Sequence, residues 1–207
     1  MKLVIISDTH AQHDELRVMR GDVLIHCGDF CDGFRIDEND LANVDRWFGT
    51  LDFELILVVG GNHDFVAQKR RSEGTSVFSN AVYLEDESYQ FGGVNFYGSP
   101  WVPELDKWAY YLPDADLRDA WARIPSDTDV LITHTPPFGI LDRTRSGNQV
   151  GCPFLRSAVA ELNLRVHCFG HVHSRYGQHD ESSVKFINAS SVDSNYSIRN
   201  IPMVVEI

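Results

Sequence analysis

The sequence predicts an α/β fold of layered sheets and helices, on three observations. Short Val/Ile/Leu-rich runs recur along the 207 residues, amphipathic helical segments lie between several of them, and nearly every run ends in glycine or polar residues. The first runs, residues 3–6 and 23–25, read as strands buried on both faces, because they are apolar throughout rather than alternating. A helix follows over residues 41–51, where Leu41, Val44, Trp47, Phe48 and Leu51 share one face and Asp37 is placed to cap it. Residues 55–59 form a third strand. Residues 89–97 give two strand-like halves around Gly92-Gly93, the pattern of a hairpin. Helices are expected over 117–124 after Asp114 and over 154–162 after Pro153, with strands at 130–132, 166–169, 184–187 and 203–207. Strands alternating with helices imply crossover units, and the hairpin adds antiparallel pairing, so a mixed sheet or two packed sheets is expected. With no repeat, low-complexity tract or Ser/Pro linker, residues 1–207 read as a single domain.

Charge and cysteine usage narrow the function. Eighteen Lys+Arg against thirty Asp+Glu leave a net charge of −12, and the longest basic run is Lys69-Arg70-Arg71. A polyanion such as long duplex nucleic acid is therefore a poor partner, since its binding requires a cationic surface that releases counterions. An excess of carboxylate suits divalent cations instead. Cys27, Cys31, Cys152 and Cys168 form no CxxC pair, which fits reduced thiols in a cytoplasmic protein. The N-terminal apolar run is too short for a signal-peptide core, and no run approaches the roughly 20 residues that cross a bilayer, so no membrane association is expected.

The residues that follow each buried run are the informative ones. The first leads into Ser7-Asp8-Thr9-His10, the second into Gly28-Asp29 and the third into Gly60-Gly61-Asn62-His63-Asp64. Residues 130–132 lead into Thr133-His134-Thr135, and 166–169 into Gly170-His171-Val172-His173. Ligands bind outside the carboxyl ends of strands in α/β sheets, so these five loops are expected to converge on one site. Alternating projection would let Asp8 with His10, and His171 with His173, each present two donors to one point. Singly, each element has a plain structural reading: Asp-x-His is a weak signal, a lone strand-end His is commonly a hydrogen-bonded cap, and Gly-Asn-His-Asp suits a turn. Together, carboxylate, imidazole and amide donors suit Mn, Fe, Zn or Ni better than Ca. Seven candidate donors (Asp8, His10, Asp29, Asn62, His134, His171, His173) exceed the needs of one ion, and two ions sharing a carboxylate account for the number.

In this order, Asp8-x-His10, Gly28-Asp29, Gly61-Asn62-His63-Asp64, His134 and Gly170-His171-x-His173 resemble the signature of the calcineurin-like metallophosphoesterase superfamily. Further matches at Gly98-Ser-Pro-Trp101, Trp108-Ala109, Thr133 to Gly139, Gly151-Cys152, Tyr176-Gly177 and Ile187-Asn-Ala-Ser190 are similar to the mammalian brain metallophosphoesterase-domain proteins and their bacterial relatives. The resemblance implies a four-layer α/β/β/α sandwich of two mixed sheets. It implies Asp8, His10, Asp29 and His173 around a first metal and Asp29, Asn62, His134 and His171 around a second, with Asp29 as the bridge. It also implies His63 facing the scissile phosphate and Asp64 orienting it. The phosphoprotein-phosphatase pattern Gly-Asp-x-Val-Asp-Arg-Gly is replaced by Gly28-Asp-Phe-Cys-Asp-Gly-Phe34, which disfavours a phosphoprotein substrate.

The expected activity is hydrolysis of small phosphodiesters, cyclic nucleotides among them, by an in-line attack of metal-bridging hydroxide, with Mn the favoured metal. A metal-dependent nuclease and a non-catalytic scaffold of the same fold are the alternatives. His13 and Arg143 are candidate substrate contacts, with Arg145 beside the latter; a solvated helix start accounts for His13 equally simply, and a solvated loop accounts for the two arginines more simply. His26 and His167, inside buried strands, read as satisfied structural residues, and His179 has no assigned role. Trp101, Trp108, Tyr110 and Tyr111 form an aromatic insert for which core packing, a nucleobase roof or an oligomer interface are the readings.

Overall fold

In a computed structural model, described over residues 1–33 and 37–207, the chain forms two mixed sheets with helices on their outer faces. Phe34, the last residue of the glycine-aspartate motif, lies outside the described residues. The strands are β1 (Lys2–Ile6), β2 (Val23–His26), β3 (Leu55–Val58), β4 (Val82–Tyr83), β5 (Glu87–Phe91), β6 (Val94–Ser99), β7 (Val130–Thr133), β8 (Val166–Phe169), β9 (Gly177–Glu181), β10 (Val184–Asn188) and β11 (Met203–Glu206). The helices are α1 (Glu38–Phe48), α2 (Phe65–Ser72), α3 (Asp114–Ala122) and α4 (Pro153–Ala160). One sheet runs β11-β1-β2-β3-β4 and the other β5-β6-β7-β8-β10-β9. Their interiors are parallel, whereas β11, β5 and β9 are antiparallel edges.

Period-two alternation explains the layering. Leu3, Ile5, Val23, Ile25, Leu55 and Leu57 point inward against Phe96, Val130, Ile132, Val166 and Ile187 of the second sheet. Val4, Ile6, Leu24, Ile56 and Val58 point outward, where Leu41, Val44 and Phe48 of α1 and Val66 and Ala67 of α2 cover them. On the opposite side Leu131, Phe169 and Phe186 meet Leu117 and Trp121 of α3 and Leu155 and Val159 of α4. Each large side chain so buried contributes roughly 1.5–3 kcal/mol, and both faces of both sheets are filled. The result is the four-layer α/β/β/α sandwich.

Local chemistry sets the helix ends. Asp37 caps α1, its carboxylate accepting from Asn39 N at 2.9 Å. α3 begins three residues earlier than the 117–124 pattern, at Asp114 after the extended Pro113, and closes at Ala122 because Ile124 precedes Pro125. Pro153 opens α4, whose Leu155 N points at Cys152 Sγ. α2 carries no wide apolar stripe, only Val66 and Ala67 being buried, and β9 is a polar edge strand held by β10. Neither is visible in the hydrophobic pattern.

Candidate metal centre

Five loops meet at one end of the sandwich. Asp8 and His10 follow β1, Asp29 follows β2, and Asn62 and His63 follow β3; His134 follows β7, and His171 and His173 follow β8. The first three loops belong to one sheet and the last two to the other, and a bridge between Ser7 and Ser190 ties the sheets together there. The donor atoms fall into triads, Asp8/His10/His173 and Asp29/His134/His171, linked by His10/Asp29/His63, each within 4.8 Å. Six of the seven expected ligands are thus brought together, and the seventh, Asn62, joins them through His134.

They are gathered by turns rather than by strand alternation. Asp8, His10, Asp29 and His171 have φ of 51°, 42°, 55° and 66°, a left-handed conformation that is strained for any residue but glycine, though Asp and His adopt it more often than most. Packing maintains the strain: Asp8 N donates to Gly28 O at 2.9 Å and His10 N to Asp29 O at 3.0 Å, so the first two loops are laced together. Gly170 lets the last loop lie against the first, since a Cβ there would overlap the Asp8 carboxylate. Both Asp8 oxygens then accept from His171 N at 3.1 Å.

The contacts are those of donors aimed at a common point. Asp8 Oδ1 lies 3.4 Å from His173 Nε2, whose neighbour is His10 Nε2 at 3.3 Å. His134 Nε2 lies 3.3 Å from Asp29 Oδ2 and 3.0 Å from Asn62 Oδ1, while its Nδ1 is set by the Cys27 carbonyl at 2.8 Å. Burial pushes His10 down to about 4 and His171 to about 3, so both rings are neutral at pH 7 and able to ligate. Burial also opposes a proton on His134, but the charge and hydrogen bond of Asp29 outweigh it and raise the ring to about 9. For His173, too, burial is outweighed, by Asp8. Burial works against ionisation of Asp8 and Asp29, yet His173 and His134 respectively hold their carboxyls below the usual range. The buried anions thus call for positive charge, and this donor set of carboxylate, imidazole and amide oxygen fits divalent metal.

His63 and Asp64 sit beside this cluster. Gly33 backs the His63 ring, a Cβ there being impossible, and His63 Nδ1 donates to the Asp32 carbonyl at 3.0 Å. His63 N donates to Asp29 Oδ1 at 2.8 Å. Asp64, fully buried, accepts from Asp29 N and Gly61 N at 2.8 Å and from Cys31 N at 2.9 Å. It therefore clamps two metal-site loops through their backbones. Burial and the Asp29 charge push its carboxyl well above the usual range, against the Cys31 and Gly61 amides.

A cavity of about 360 Å³ opens over Asp29, Asn62, His63, His171 and His173, and Thr144, Arg145, Val150 and Tyr196 contribute to its walls. The two candidate substrate contacts lie elsewhere. His13 is buried against Trp47, with ring centroids 5.2 Å apart, and is not among the lining residues. Arg143 turns back across its loop to the Gly147 carbonyl at 3.1 Å, which leaves Arg145, at the tip, facing the cavity. Tyr196 was not apparent from the sequence; its ring lies 4.9 Å from both His10 and His173, with φ of 58°. No apolar pattern marks it, and a left-handed tyrosine leaves no trace in composition. His26 and His167 are buried and bonded to Thr9 and Thr133 at 3.0 and 2.9 Å; both ring nitrogens of His26 have partners, whereas His167 Nδ1 has none among the described residues. All four cysteines are buried and free.

A four-layer α/β sandwich with Asp/His donors converging at its strand ends defines the class of metal-dependent phosphoesterases. The Calcineurin-like phosphoesterase model matches residues 1–175. Human Metallophosphoesterase domain-containing protein 1 is 34% identical, aligned over all of this chain and 71% of its own length. A UPF0046 protein of Caenorhabditis elegans is 35% identical over 99% of this chain and 74% of that protein. A solved crystal structure with 16% identity superposes with a TM-score of 0.67, covering 90% of this chain and 89% of the other, a likeness of fold. The chain belongs to the calcineurin-like phosphoesterase family, and its relatives include the metallophosphoesterase-domain proteins that the second set of motifs resembles. Among the described residues, no helix is long and apolar enough to cross a membrane.

Proposed function

We propose that this protein is a dinuclear-metal-dependent phosphoesterase that hydrolyses small phosphodiesters, cyclic nucleotides among them. The convergence of six carboxylate and imidazole donors and the Asn62 amide, with His63 beside them, over a cavity open to solvent, carries the reading. Asp8, His10, Asp29 and His173 would hold one ion and Asp29, Asn62, His134 and His171 the other, Mn being favoured for activity. Bound there, divalent ions supply Lewis-acid neutralisation of phosphoryl oxygens and a water acidic enough to ionise near neutral pH.

The chain's own groups do the rest. Asp29 belongs to the second triad and to the group that links it to the first, and it also fixes the His63 backbone, so it couples ion binding to the placement of the acid. His63 Nδ1 is committed to a carbonyl, an acceptor only, and therefore carries a proton; the ring meets substrate through Nε2. A second proton on that atom lets it stabilise phosphoryl charge or protonate the leaving oxygen. Arg145, at the far wall, offers the substrate a guanidinium. Four buried free thiols fit a reducing, cytoplasmic setting.

Titration calorimetry with Mn²⁺ and turnover of bis(p-nitrophenyl) phosphate against p-nitrophenyl phosphate test the proposal. Two ions per chain, loss of turnover on chelation and a higher kcat/KM for the diester are expected, and Asp29→Asn should lose ions and activity together. A single site would overturn the dinuclear assignment, negligible turnover of the loaded protein would favour a scaffold, and a preference for the monoester would overturn the diester assignment.

A further inference from the structure

The aromatic insert between β6 and α3 splits into two parts with different neighbours. Tyr110 is fully buried, its hydroxyl 2.5 Å from that of Tyr83, and Trp101 packs 5.9 Å from Tyr110 with its indole N–H on Asp86. Trp108 joins none of the hydrophobic clusters formed by the described residues. Its ring lies instead 4.6 Å from that of His63, tilted by 39°, with Phe65 behind it at 6.1 Å.

The backbone holds Trp108 in that place. Ala109 N donates to Asn62 O at 3.1 Å, which fastens the insert to the residue before His63. Val102 N to Tyr110 O at 2.9 Å and Leu112 N to Val102 O at 3.2 Å close the insert into a loop. Tyr110 takes a φ of 57°, a strained turn two residues after Trp108 that is secured by the burial of its ring. The imidazole is therefore boxed, with Gly33 and the Asp32 carbonyl on the Nδ1 side, the edge of His10 at 4.7 Å, and the indole against its plane.

We infer that Trp108 is a positioning residue for His63, a buttress that fixes the imidazole plane against the reacting phosphoryl group. The inference rests on the role proposed for His63. A flat, rigid side chain packed on the imidazole restricts the rotation of its plane. Misplacement by about 1 Å can cost on the order of 100-fold in rate, so the buttress acts on kcat and not on ion binding.

The test is a double-mutant cycle on the Mn²⁺-loaded full chain with bis(p-nitrophenyl) phosphate, following kcat, KM and ion content. Trp108→Leu should lower kcat roughly 10- to 100-fold with KM changed by less than about 2-fold and both ions retained. Trp108→Phe, which keeps an aromatic face, should recover most of the loss. In a His63→Asn background, Trp108→Leu should cost nothing further, since the group it positions is gone. A loss of the same factor in both backgrounds, or an unchanged kcat in folded Trp108→Leu, would overturn the buttress. If His63→Asn itself kept the wild-type kcat, the role of His63 would fail and take the buttress with it. Should Trp108→Leu not fold, Trp108→Met is read by the same criteria.

Discussion

Replacing Asp64 by asparagine changes one oxygen of a buried carboxylate into an NH₂ group, and the structure says what that disrupts. Oδ2 accepts from Asp29 N and Gly61 N, and Oδ1 from Cys31 N. If the amide oxygen takes the Oδ2 place, the Cys31 N–H faces another donor and is orphaned inside the protein. That costs about 1–3 kcal/mol, and the two remaining bonds lose their charge assistance, for a sum of roughly 2–4 kcal/mol. For a chain of this size the corresponding fall in Tm is about 5–15 °C. Relaxation of the loops bearing Asp29 and Gly61 should also slow turnover by about 10- to 100-fold, with both ions still bound at saturating Mn²⁺. Thermal unfolding followed by circular dichroism, with kcat on bis(p-nitrophenyl) phosphate, measures both effects. An Asp64→Asn protein with wild-type Tm and kcat would refute the idea that this carboxylate clamps the two loops.

Two further outcomes are expected. Arg145→Gln should raise KM for the diester by about 5- to 10-fold, the worth of one exposed charge-assisted contact, whereas Arg143→Gln should leave it unchanged; the reverse pattern in steady-state kinetics would return the substrate contact to Arg143. Burial lowers His26 and His167 to about 3, against an ordinary value of 6.5, so between those limits the unfolded chain binds protons that the folded one refuses. Stability should therefore be intact above pH 6.5 and fall as pH drops, by about 2–3 kcal/mol per histidine at pH 4.5. Urea unfolding of chelator-treated protein across this range should show the decline, and His167→Gln should flatten it; equal slopes for variant and wild type would contradict the assignment.

Much of this protein could be read without its structure because the signal was local. The strands of both sheet interiors are continuous apolar runs, and each runs directly into the donors it presents, so residues 3–6 and Asp8, or 166–169 and His171, were visible as units. The resemblance supplied the four layers. The elements that escaped notice are those whose conformation comes from neighbours: β9 exists by pairing with β10, and α2, with two buried residues, leans on the outer face of its sheet.

The sequence by itself determined the donor chemistry, its order along the chain and its position at strand ends, since these depend on residue identity and period-two burial. Only the tertiary structure decided how the donors come together. Strand alternation does not gather them; left-handed turns at Asp8, His10, Asp29 and His171 do, and such turns survive only where non-local packing and backbone bonds such as Asp8 N to Gly28 O enforce them. The same holds for the residues around the metal centre. Tyr110 goes into the core while Trp108 lies on His63, and Arg143 folds back while Arg145 faces the cavity. Neighbours of one kind in sequence are separated because the direction of a side chain on an irregular loop is set by the contacts of the whole loop, not by the residue itself.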